Sequence, residues 1–530
     1  MVQDLQVSGT FGDKRAIGKR ILAFEAAWAR LQSDAPGWPT DSTDRAFQSA
    51  LIRWLQFHEG MLIGEVVSEA LKFVRNNPAS PDFESFSNVV VDEYQDLNKA
   101  EQDLLDRLAM RGNLSIVGDL DQSIYSFRHA NPEGIIEFST RHTTTIDEVL
   151  DECRRCPKKV VSIANALIQQ NHPVSPIPRL RPLLSNADGD VQILQWRTLD
   201  EEIQGIAEYI EILVTQKGYA AADILVLTPR RHMAYGIRDL LEAMNVPTHS
   251  FYQEEALESN EAQCAMTLLN LLVNCNDRIA LRYWLGHGSP SYLHRQYANL
   301  RIHCEEAGLA PFDVLSAIAN GVLVLPNTAN IVARFKILQQ HLSVLSGLTG
   351  AHLIDALFPA SNPTLALLRE LAMDLQSSAP DVEPVTLQQE IREKTTQASE
   401  PESGNYVRIM SLHKSKGLTS RAVIVTSCVQ SLIPFIDPNL AATARAQALE
   451  EQRRLFYVAL TRATDLLVLS SFQSMDQGLG HQIGASLRSG RNGQGFTVAS
   501  QFMGELGSTA PVAQIGTTFI ATQRLLPGIG

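Results

Sequence analysis

The stretches NVVVDEYQD at residues 88–96 and NLSIVGDLDQ at residues 113–122 decide the fold. Each is a short apolar run that ends in acidic residues, so each predicts a buried strand with polar side chains at its carboxyl end. Between them, residues 98–112 have the pattern of an amphipathic helix closed by a glycine. This β-α-β order predicts a parallel sheet, and open α/β sheets bind their ligands at the carboxyl ends of the strands.

The rest of the chain alternates between helical and mixed character. Apolar residues at helical spacing predict helices over residues 1–85 and, in a leucine-rich pattern, over residues 259–400. The segments that follow each of these regions alternate strand and helix patterns. Residues 377–390 are polar and acidic, which predicts a boundary or an exposed loop. Residues 473–530 are rich in Gly, Ser and Gln and predict a loosely ordered tail with one short helix.

Composition excludes several classes of protein. The chain has 530 residues, of which 45% are hydrophobic and 19% charged, and its net charge is -13. The mean hydropathy is -0.06, and the apolar stretches are far shorter than the roughly 20 residues that span a bilayer. We therefore expect that the chain is not a membrane protein. The N-terminus lacks the apolar segment of a secretory signal. The acidic balance argues against a polycation that coats nucleic acid, but it leaves room for a local basic groove.

The cysteine content indicates a reducing compartment. Six cysteines in a chain of this length form no disulfide framework, so we expect a cytoplasmic protein. Only Cys153 and Cys156 are close together, in the sequence CRRC. A single C-x-x-C motif without a second pair or nearby histidines is weak support for zinc. We therefore interpret both cysteines as plain small residues.

The acidic strand end suits the chemistry of a nucleotide motor. Asp92 and Glu93 are adjacent, and one carboxylate can hold Mg²⁺ while the other polarises an attacking water. A solvated acidic turn is the simpler interpretation of an isolated pair. The additional Gln95 and Asp96 favour the functional interpretation.

The second strand end combines a glutamine with aromatic residues. The amide of Gln122 can report the presence of a γ-phosphate by hydrogen bonding. Tyr125 and Phe127 place two aromatic faces beside the cation of Arg128. Stacking of bases on such faces is worth about 1–3 kcal/mol per base and needs no sequence code. Taken alone, the two aromatic residues are more typical of a core.

Together these two stretches resemble motifs II and III of the UvrD/Rep-like superfamily 1 DNA helicases. Residues 150–168, 407–418 and 450–470 resemble motifs IV, V and VI of that family, in the same order. The resemblance runs from about residue 50 to residue 470. It implies an α/β fold of two RecA-like P-loop NTPase motor domains, the first incomplete, with α-helical insertion subdomains. It also implies ATP and Mg²⁺ between the motor domains and DNA across their tops.

The resemblance implies a division of the chain into six segments. These are a helical insertion of the first motor domain (residues 1–85), a remnant of the first motor domain (86–145), the first part of the second motor domain (146–258), its helical insertion (259–400), its return (401–472) and the Gly/Ser-rich C-terminal tail (473–530).

Residue roles follow from the matching motif positions. The resemblance implies that Glu93 is the catalytic base, that Gln122 senses the γ-phosphate, and that two arginines reach this phosphate from the second motor domain, namely Arg155 and Arg462. The implied ATP-binding residues are Asp92 (through Mg²⁺), Arg154, Gly417, Thr419 and Tyr457. The implied DNA-binding residues are Tyr125, Phe127, Arg128, His413 and Lys414. In the same motif as these last two, Lys416 is a candidate phosphate contact or interdomain coupler.

Two positions depart from the family pattern. Arg154 stands where the family usually has a tyrosine that stacks on adenine, although a guanidinium can also stack on a purine. Thr419 stands where the family has an acidic residue associated with the ribose. Both departures weaken an expectation of strict ATP selectivity.

The phosphate-binding sequence G-x-x-x-x-G-K-[ST] does not occur in the 530 residues. The nearest approach is GDKRAIGKR at residues 12–20, where the glycines are one residue too far apart and Arg20 replaces Ser or Thr. We interpret it as a helix start. In the family this loop lies well over 100 residues before the acidic motif, so we expect that the first motor domain is incomplete, with exposed sheet edges and apolar surface. We also expect that this chain neither hydrolyses ATP efficiently nor unwinds DNA.

Two functions therefore remain open. The first is a 3′-to-5′ DNA helicase or translocase of DNA repair or replication, acting on single-stranded and partly duplex DNA with unidentified partner proteins. The second is a non-catalytic DNA-binding or regulatory subunit. The retained Glu93, Gln122, Arg155 and Arg462 favour the first, because a chain relieved of hydrolysis has no chemical reason to keep them. A nuclease fusion finds no support, because the tail lacks a carboxylate-lysine metal site.

Overall fold

The computed structural model describes residues 1–78, 80, 86–172, 180–250, 257, 259–396, 404–490 and 492–526. The segment boundaries predicted at residues 85, 258 and 400 lie outside these residues. In this part of the chain, no helix is long and apolar enough to cross a membrane.

The helices of the described residues are numbered in chain order. They are α1 (Val2–Leu5), α2 (Lys14–Ala29), α3 (Ser42–Phe57), α4 (Ile63–Asn76), α5 (Lys99–Leu108), α6 (Glu133–Arg141), α7 (Lys158–Ile168), α8 (Leu199–Gln216), α9 (Arg231–Ala243), α10 (Asn260–Val273), α11 (Arg278–Gly286), α12 (His294–Ala307), α13 (Pro311–Ala319), α14 (Ala329–Leu345), α15 (Gly350–Leu357), α16 (Ala366–Ser378), α17 (Pro384–Thr396), α18 (Ala442–Leu460), α19 (Gln477–Ile483), α20 (Gln501–Gly504) and α21 (Gly516–Leu525).

The strands are numbered in the same way. They are β1 (Asn88–Val91), β2 (Asn113–Ile116), β3 (Glu152–Cys153), β4 (Arg181–Pro182), β5 (Asp190–Thr198), β6 (Ile224–Thr228), β7 (Thr248–Ser250), β8 (Val407–Ser411), β9 (Ser420–Val425), β10 (Ala463–Asp476), β11 (Leu487–Arg488), β12 (Gln494–Thr497) and β13 (Gln514–Ile515).

The chain divides into two compact units. Unit 1 comprises Met1–Val89, Asn98–Asn113 and Gln253–Glu400, and unit 2 comprises Val90–Leu97, Leu114–Tyr252 and Pro401–Gly530.

Unit 1 is helical in its described residues, as the sequence predicts for residues 1–85 and 259–400. The first three helices enclose an apolar cluster that contains Phe24, Phe47 and Trp54. A second cluster lies among α11–α14, and a third lies among α10 and α14–α17. The acidic stretch predicted as a boundary or loop is mostly helical, because α16 and α17 leave only a short connection between them.

The sequence that most resembles a phosphate loop begins a helix. Asp13 is the N-cap of α2, and its side chain accepts a hydrogen bond from the Ala16 N–H at 2.8 Å. Such a cap satisfies one of the free N–H groups at a helix start. The interpretation of residues 12–20 as a helix start is therefore confirmed.

Unit 1 also contains a buried polar network. Asp4 and Arg282 form a two-point ion pair, in which Arg282 Nη2 lies 2.5 Å from Asp4 Oδ1 and Nε lies 2.9 Å from Oδ2. The guanidinium lies over the Tyr297 ring at 4.2 Å, and the Tyr297 hydroxyl is 2.8 Å from His58 Nε2. Burial lowers the pKa of His58 to about 4. Arg282 Nη1 is buried without a hydrogen-bond partner among the described residues, whereas Asp4, Tyr297 and His58 are paired, and we assign the network a structural role.

Unit 2 is built on a largely parallel sheet. The parallel strands follow the order β7-β8-β6-β9-β10-β5-β13. The strand β10 is central, with 14 residues, and it pairs in parallel with β9 and β5. Its last residues also pair antiparallel with β12, which continues to β11. Non-sequential strand order of this kind requires helical crossovers, which are present throughout unit 2.

Helices cover both faces of this sheet. Alternate residues of each strand enter two separate cores, as the pleat of a strand requires. On one face Val226, Ile424 and Val468 pack with α8, α9 and α21. On the other face Leu227 and Leu469 pack with α7 and α18. This three-layer arrangement confirms the predicted α/β class.

The strands β1 and β2 form a two-stranded sheet. Within unit 2, the Val117 N–H donates to the Val91 carbonyl oxygen at 2.8 Å. The side chain of Val90 is 74% exposed and that of Val117 is 50% exposed. The prediction that Val90 lies in a buried strand is therefore wrong, because in the described residues no element covers this face. The predicted exposed apolar surface is present instead.

The C-terminal residues differ from the loosely ordered tail that their composition predicts. Strand β10 runs through the predicted boundary at residue 472, β12 pairs with it, and β13 pairs with β5. In α21, Phe519 and Ile520 are buried against α8. Short strands and helices rich in Gly, Ser and Gln are held here by tertiary pairing, which local composition does not reveal.

Candidate active site

The acidic turn after β1 places Glu93 in a left-handed backbone conformation, with φ of +53°. For a residue other than glycine this conformation costs on the order of 1 kcal/mol and persists only where its surroundings impose it. Asp92 Oδ1 accepts a hydrogen bond from the Glu93 N–H at 2.8 Å. Gln95 Nε2 donates to Glu93 Oε2. The turn that carries both predicted acids is thus fixed by side chains on either side of it.

Gln95 joins the two acidic strand ends. Its side chain is fully buried, and its Oε1 accepts a hydrogen bond from the Asp119 N–H at 2.9 Å. This contact requires a glycine at residue 118, because a Cβ there would lie 2.5 Å from Gln95 Oε1. The ends of β1 and β2 are therefore held in register by one amide.

Lys416 joins the acidic turn after β1 to the segment after β2. Its ammonium lies 2.5 Å from Asp96 Oδ2, 3.2 Å from Glu93 Oε2 and 2.8 Å from the Gln122 carbonyl oxygen. It also lies 5.4 Å from the centre of the Tyr125 ring. The Lys416 side chain is only 6% exposed. Burial raises the pKa of Asp96, and the Lys416 ammonium opposes that shift.

Gln122 continues the chain of contacts toward motif VI. Its Nε2 donates to Asp119 Oδ2 at 2.9 Å, and its Oε1 lies 3.4 Å from Arg462 Nη2. Arg462 is buried, and it also donates to two backbone carbonyl oxygens, those of Val458 at 2.9 Å and Leu418 at 3.1 Å. Burial lowers the pKa of Arg462 to about 10, and the nearby Arg155 contributes in the same direction.

Arg155 has a buried nitrogen without a partner. Its Nη1 lies 3.5 Å from Thr419 Oγ1, whereas its Nε is buried and makes no hydrogen bond with any described residue. Buried polar atoms are normally hydrogen-bonded, so an unpaired guanidinium nitrogen marks a position where an anionic ligand can bind.

A cleft of about 630 Å³ lies beside Arg155. A volume of this size accommodates a nucleotide-sized ligand. It brings together four predicted residues, which are Gln122, Arg154, Arg155 and Tyr457, and it is also lined by Thr461. Five predicted catalytic or ATP-binding residues are not among its described lining residues, namely Asp92, Glu93, Gly417, Thr419 and Arg462.

The remaining predicted ATP-binding residues have distinct environments. Tyr457 is almost fully buried, and burial raises its pKa. Arg154 and Thr419 are exposed. Gly417 has φ of +85° with open space around its α-carbon, so the turn there favours glycine for its backbone conformation.

Two of the predicted DNA-binding aromatic residues contact each other. Phe127 is 66% exposed, and its ring meets that of Tyr125 edge to face at 5.7 Å. The Phe127 ring also lies 6.2 Å from His413, whose pKa is lowered by burial. Ser126 fixes the segment between the two rings, because its N–H donates to Glu451 Oε1 at 2.8 Å. Arg128 is exposed on the same segment, and Lys414 follows His413.

The site fits a nucleotide with Mg²⁺ in its chemistry. The carboxylate of Asp92 is exposed, and oxygen ligands suit this ion. Among the described residues, no group of three or more His, Cys, Asp or Glu side chains is arranged to hold a metal ion. Mg²⁺ is commonly held by one or two carboxylates together with substrate phosphates, so a site with few protein ligands is compatible with it.

The structure adds residues for which the sequence analysis predicted no definite role. Lys416 lies at the centre of the contacts, and its only sequence signal is its place in the stretch that resembles motif V. Gln95 joins the strand ends, and its signal is its place beside the acidic pair. Glu451 lies far from residues 125–127 in the sequence, so pattern alone could not connect it with them.

Comparison with known proteins shows the family to which the chain belongs. Residues 63–143 match the UvrD/REP helicase N-terminal domain. Similar relatives include the ATP-dependent DNA helicase PcrA of Staphylococcus epidermidis, which is 24% identical over 429 residues, 77% of this chain and 57% of that protein. ATP-dependent DNA helicase UvrD1 of Mycobacterium tuberculosis is 26% identical over 433 residues, 73% of this chain and 55% of that protein.

A further relative is the ATP-dependent DNA helicase UvrD1 of Mycobacterium leprae, which is 27% identical over 516 residues and covers 85% of this chain. This chain spans 55–64% of the length of the relatives named here. Residues 149–317 and 363–474 match the UvrD-like helicase C-terminal domain. Because these residues are more than half of the chain, it belongs to the UvrD/Rep-like superfamily 1 helicases, whose fold is that of RecA-like motor domains.

Proposed function

We propose that this chain is part of an ATP-dependent DNA helicase or translocase that moves 3′-to-5′ on single-stranded DNA and unwinds partly duplex DNA in repair or replication. One observation carries the proposal. Lys416 connects the acids Glu93 and Asp96 to Gln122, and the Gln122 side chain contacts Arg462. We assign these residues to one nucleotide site, and we propose that the chain acts in the cytoplasm.

The arrangement supports coupling between hydrolysis and DNA. Phosphoryl transfer spreads negative charge over the equatorial oxygens of the phosphate, and arginine guanidinium groups stabilise that charge. In the proposal Glu93 polarises the attacking water, Asp92 holds Mg²⁺, and Arg155 and Arg462 contact the γ-phosphate. Bound Mg²⁺ would neutralise charge on the phosphates. Gln122 lies three residues before Tyr125, so a shift of its amide on loss of the phosphate reaches the aromatic segment directly.

The same geometry supports a DNA-binding surface at Phe127. An exposed aromatic ring beside a histidine and an arginine is suited to stack on unpaired bases. We propose that single-stranded DNA contacts Tyr125, Phe127, Arg128, His413 and Lys414.

Phe127→Ala tests this surface. Because stacking is worth about 1–3 kcal/mol per base, we expect the affinity for a labelled single-stranded oligonucleotide to fall roughly 5- to 100-fold. Fluorescence anisotropy at fixed salt measures this change. The matched control is Phe496→Ala on β12, since Phe496 is a similarly exposed aromatic residue at 53% exposure. Equal loss in both variants would contradict the proposal.

We further propose that these 530 residues alone hydrolyse ATP slowly, because they contain no G-x-x-x-x-G-K-[ST] sequence to hold the phosphates. We expect DNA-stimulated turnover about 100-fold or more below the median of about 10 s⁻¹ for enzymes. A phosphate-release assay measures this turnover. Rapid DNA-stimulated turnover would contradict slow hydrolysis.

Arg155→Ala tests the nucleotide site. We expect binding of a fluorescent ATP analogue to weaken about tenfold in this variant. Binding should stay unchanged in Arg197→Ala, a control whose side chain is 82% exposed.

The second candidate is a non-catalytic DNA-binding or regulatory helicase-like subunit. The absence of the phosphate-binding sequence from these residues favours it. The genomic sequence upstream of the first codon discriminates between the two. A phosphate-binding motif in the same reading frame supports the helicase, whereas its absence together with no ATP binding supports the regulatory subunit.

A further inference from the structure

A tight turn holds the two cysteines of the CRRC sequence together at the cleft. Asn186 Nδ2 donates to the carbonyl oxygens of both Cys153 and Cys156, at 2.8 and 2.9 Å. The Cys156 N–H donates to Cys153 Sγ at 3.4 Å. The turn immediately precedes α7, whose N-cap is Pro157. One side-chain amide thus clamps both ends of the motif.

The two sulfur atoms occupy different environments. Both cysteines line the 630 Å³ cleft, but Cys153 is partly exposed whereas Cys156 has no exposed surface. The Cys156 thiol donates to the Thr461 carbonyl oxygen at 3.3 Å, and the Cys156 N–H donates to Cys153 Sγ. The hydrogen bond from Cys156 lowers the pKa of Cys153 to about 6, and the same contact, together with burial, raises the pKa of Cys156. One accessible sulfur beside one buried sulfur is the arrangement of an attacking and a resolving cysteine.

We propose that Cys153 and Cys156 form a redox modification site, at which a small-molecule disulfide of the glutathione class oxidises the pair to an intramolecular disulfide. This replaces the interpretation of both cysteines as plain small residues. The proposal goes beyond the helicase function and does not depend on it. It stands on the clamped turn, the hydrogen bond from the Cys156 N–H to Cys153 Sγ and the access that the cleft gives to Cys153.

The reaction proceeds in two exchange steps. The Cys153 thiolate attacks one sulfur of the small disulfide, which breaks that S–S bond, forms a mixed disulfide and releases one thiol. Cys156 Sγ then attacks Cys153 Sγ, and the proton of the Cys156 thiol passes to the departing second small thiolate. In total, two electrons pass from the cysteine pair to the small disulfide, which becomes two thiols.

Oxidation of the cysteine pair would change the position of two predicted nucleotide-binding residues. Arg154 and Arg155 are the two residues inside the ring that the disulfide closes. A disulfide requires specific geometry, so its closure constrains the backbone that carries both guanidinium groups. We expect the contact between Arg155 and Thr419 to change with the redox state.

Mass spectrometry of the purified chain tests the proposal. The reduced protein is titrated with glutathione disulfide in a glutathione buffer and then alkylated and digested. We expect the peptide that contains both cysteines to lose two hydrogens. Cys156→Ala should instead accumulate one glutathione on Cys153, because the resolving thiol is absent. Cys275→Ser removes an exposed cysteine outside the site and should leave the result unchanged.

A second measurement separates this site from incidental oxidation. Alkylation of Cys153 by iodoacetamide at pH 6.5 should slow about tenfold in Cys156→Ala, because the loss of its hydrogen bond raises the pKa of Cys153 and lowers the thiolate fraction. Circular dichroism confirms that the variant is folded. If the wild type keeps both hydrogens at every glutathione ratio, or if Cys153 in the variant is alkylated as fast as in the wild type, the proposal is overturned. ATP or DNA binding plays no part in either readout.

Discussion

Lys416→Met is expected to lower the free energy of unfolding of unit 2 by about 2–3 kcal/mol, because truncation of a buried ion pair leaves uncompensated charge. Lys416 is 6% exposed and lies against Asp96 and Glu93. Methionine keeps the apolar stem of the side chain and removes only the ammonium. This expected loss is smaller than the usual 3–5 kcal/mol for breaking a fully buried ion pair. The reason is that the Glu93 side chain is 44% exposed, so solvent screens its charge.

Urea unfolding, monitored by hydrogen exchange of peptides from unit 2, measures this loss of stability. Lys159→Met is the matched control, because Lys159 is an exposed lysine of α7, and it should change stability by less than about 0.5 kcal/mol. Asp96→Asn in the Lys416→Met background should restore part of the stability, because it removes one of the two unpaired acids. If the double variant shows the sum of the two single losses, Lys416 and Asp96 are not coupled.

Glu202→Ala is expected to cost about 3 kcal/mol in unit 2, because three buried donors would lose their acceptor. Glu202 is 1% exposed. Its Oε1 accepts hydrogen bonds from the Ser427 N–H at 3.0 Å and the Ser470 hydroxyl at 2.5 Å, and its Oε2 accepts from the Ser427 hydroxyl at 2.7 Å. Ser470 Oγ in turn accepts from Trp196 Nε1 at 2.9 Å. The carboxyl group therefore links α8 to β5, β10 and the segment after β9.

Glu202→Gln provides the control, because it keeps the shape and one acceptor while removing the charge, and it should cost less than half as much as alanine. Burial raises the pKa of Glu202 above the value of the unfolded chain. Its proton is therefore held more tightly in the folded state, and the stability gained is present at low pH and lost as pH rises through the folded-state pKa. Stability relative to wild type should thus improve for Glu202→Gln as pH rises above the ordinary range of a glutamate pKa, as urea unfolding over a series of pH values can measure. A constant difference would show that Glu202 does not titrate in this range.

Local sequence patterns predict the helices and strands of this fold better than they predict which strand faces are covered and which strands pair. The runs at Val89–Val91 and Leu466–Leu469 give strands because β-branched and apolar residues favour a pleated surface. Burial of Val90 could not be read from the same run, because it depends on a covering layer rather than on the strand itself. The strand β13 could not be predicted for a related reason, since its partner β5 lies far away in the sequence.

Motif order predicts which residues belong to the candidate site, but not how they contact one another. Glu93 and Gln122 follow from their places after two strands, whereas the bridge that Lys416 forms between them depends on side-chain geometry. The clamp of Asn186 on Cys153 and Cys156 is similarly invisible in sequence, because it joins residues some 30 positions apart. The roles of all the predicted site residues remain predictions.

The length of β10 has a consequence for how unit 2 comes apart. The strand β10 pairs with β5, β9 and β12 and therefore fixes the register of all three. A slip of β10 by one residue would turn each of its side chains to the opposite hydrophobic layer. Fraying of the segment that carries Leu467 and Phe472 would disturb both hydrophobic layers at once, because Leu467 packs in one layer and Phe472 in the other. This strand therefore couples the two hydrophobic layers. We expect its backbone amides to exchange hydrogen only when the whole of unit 2 unfolds.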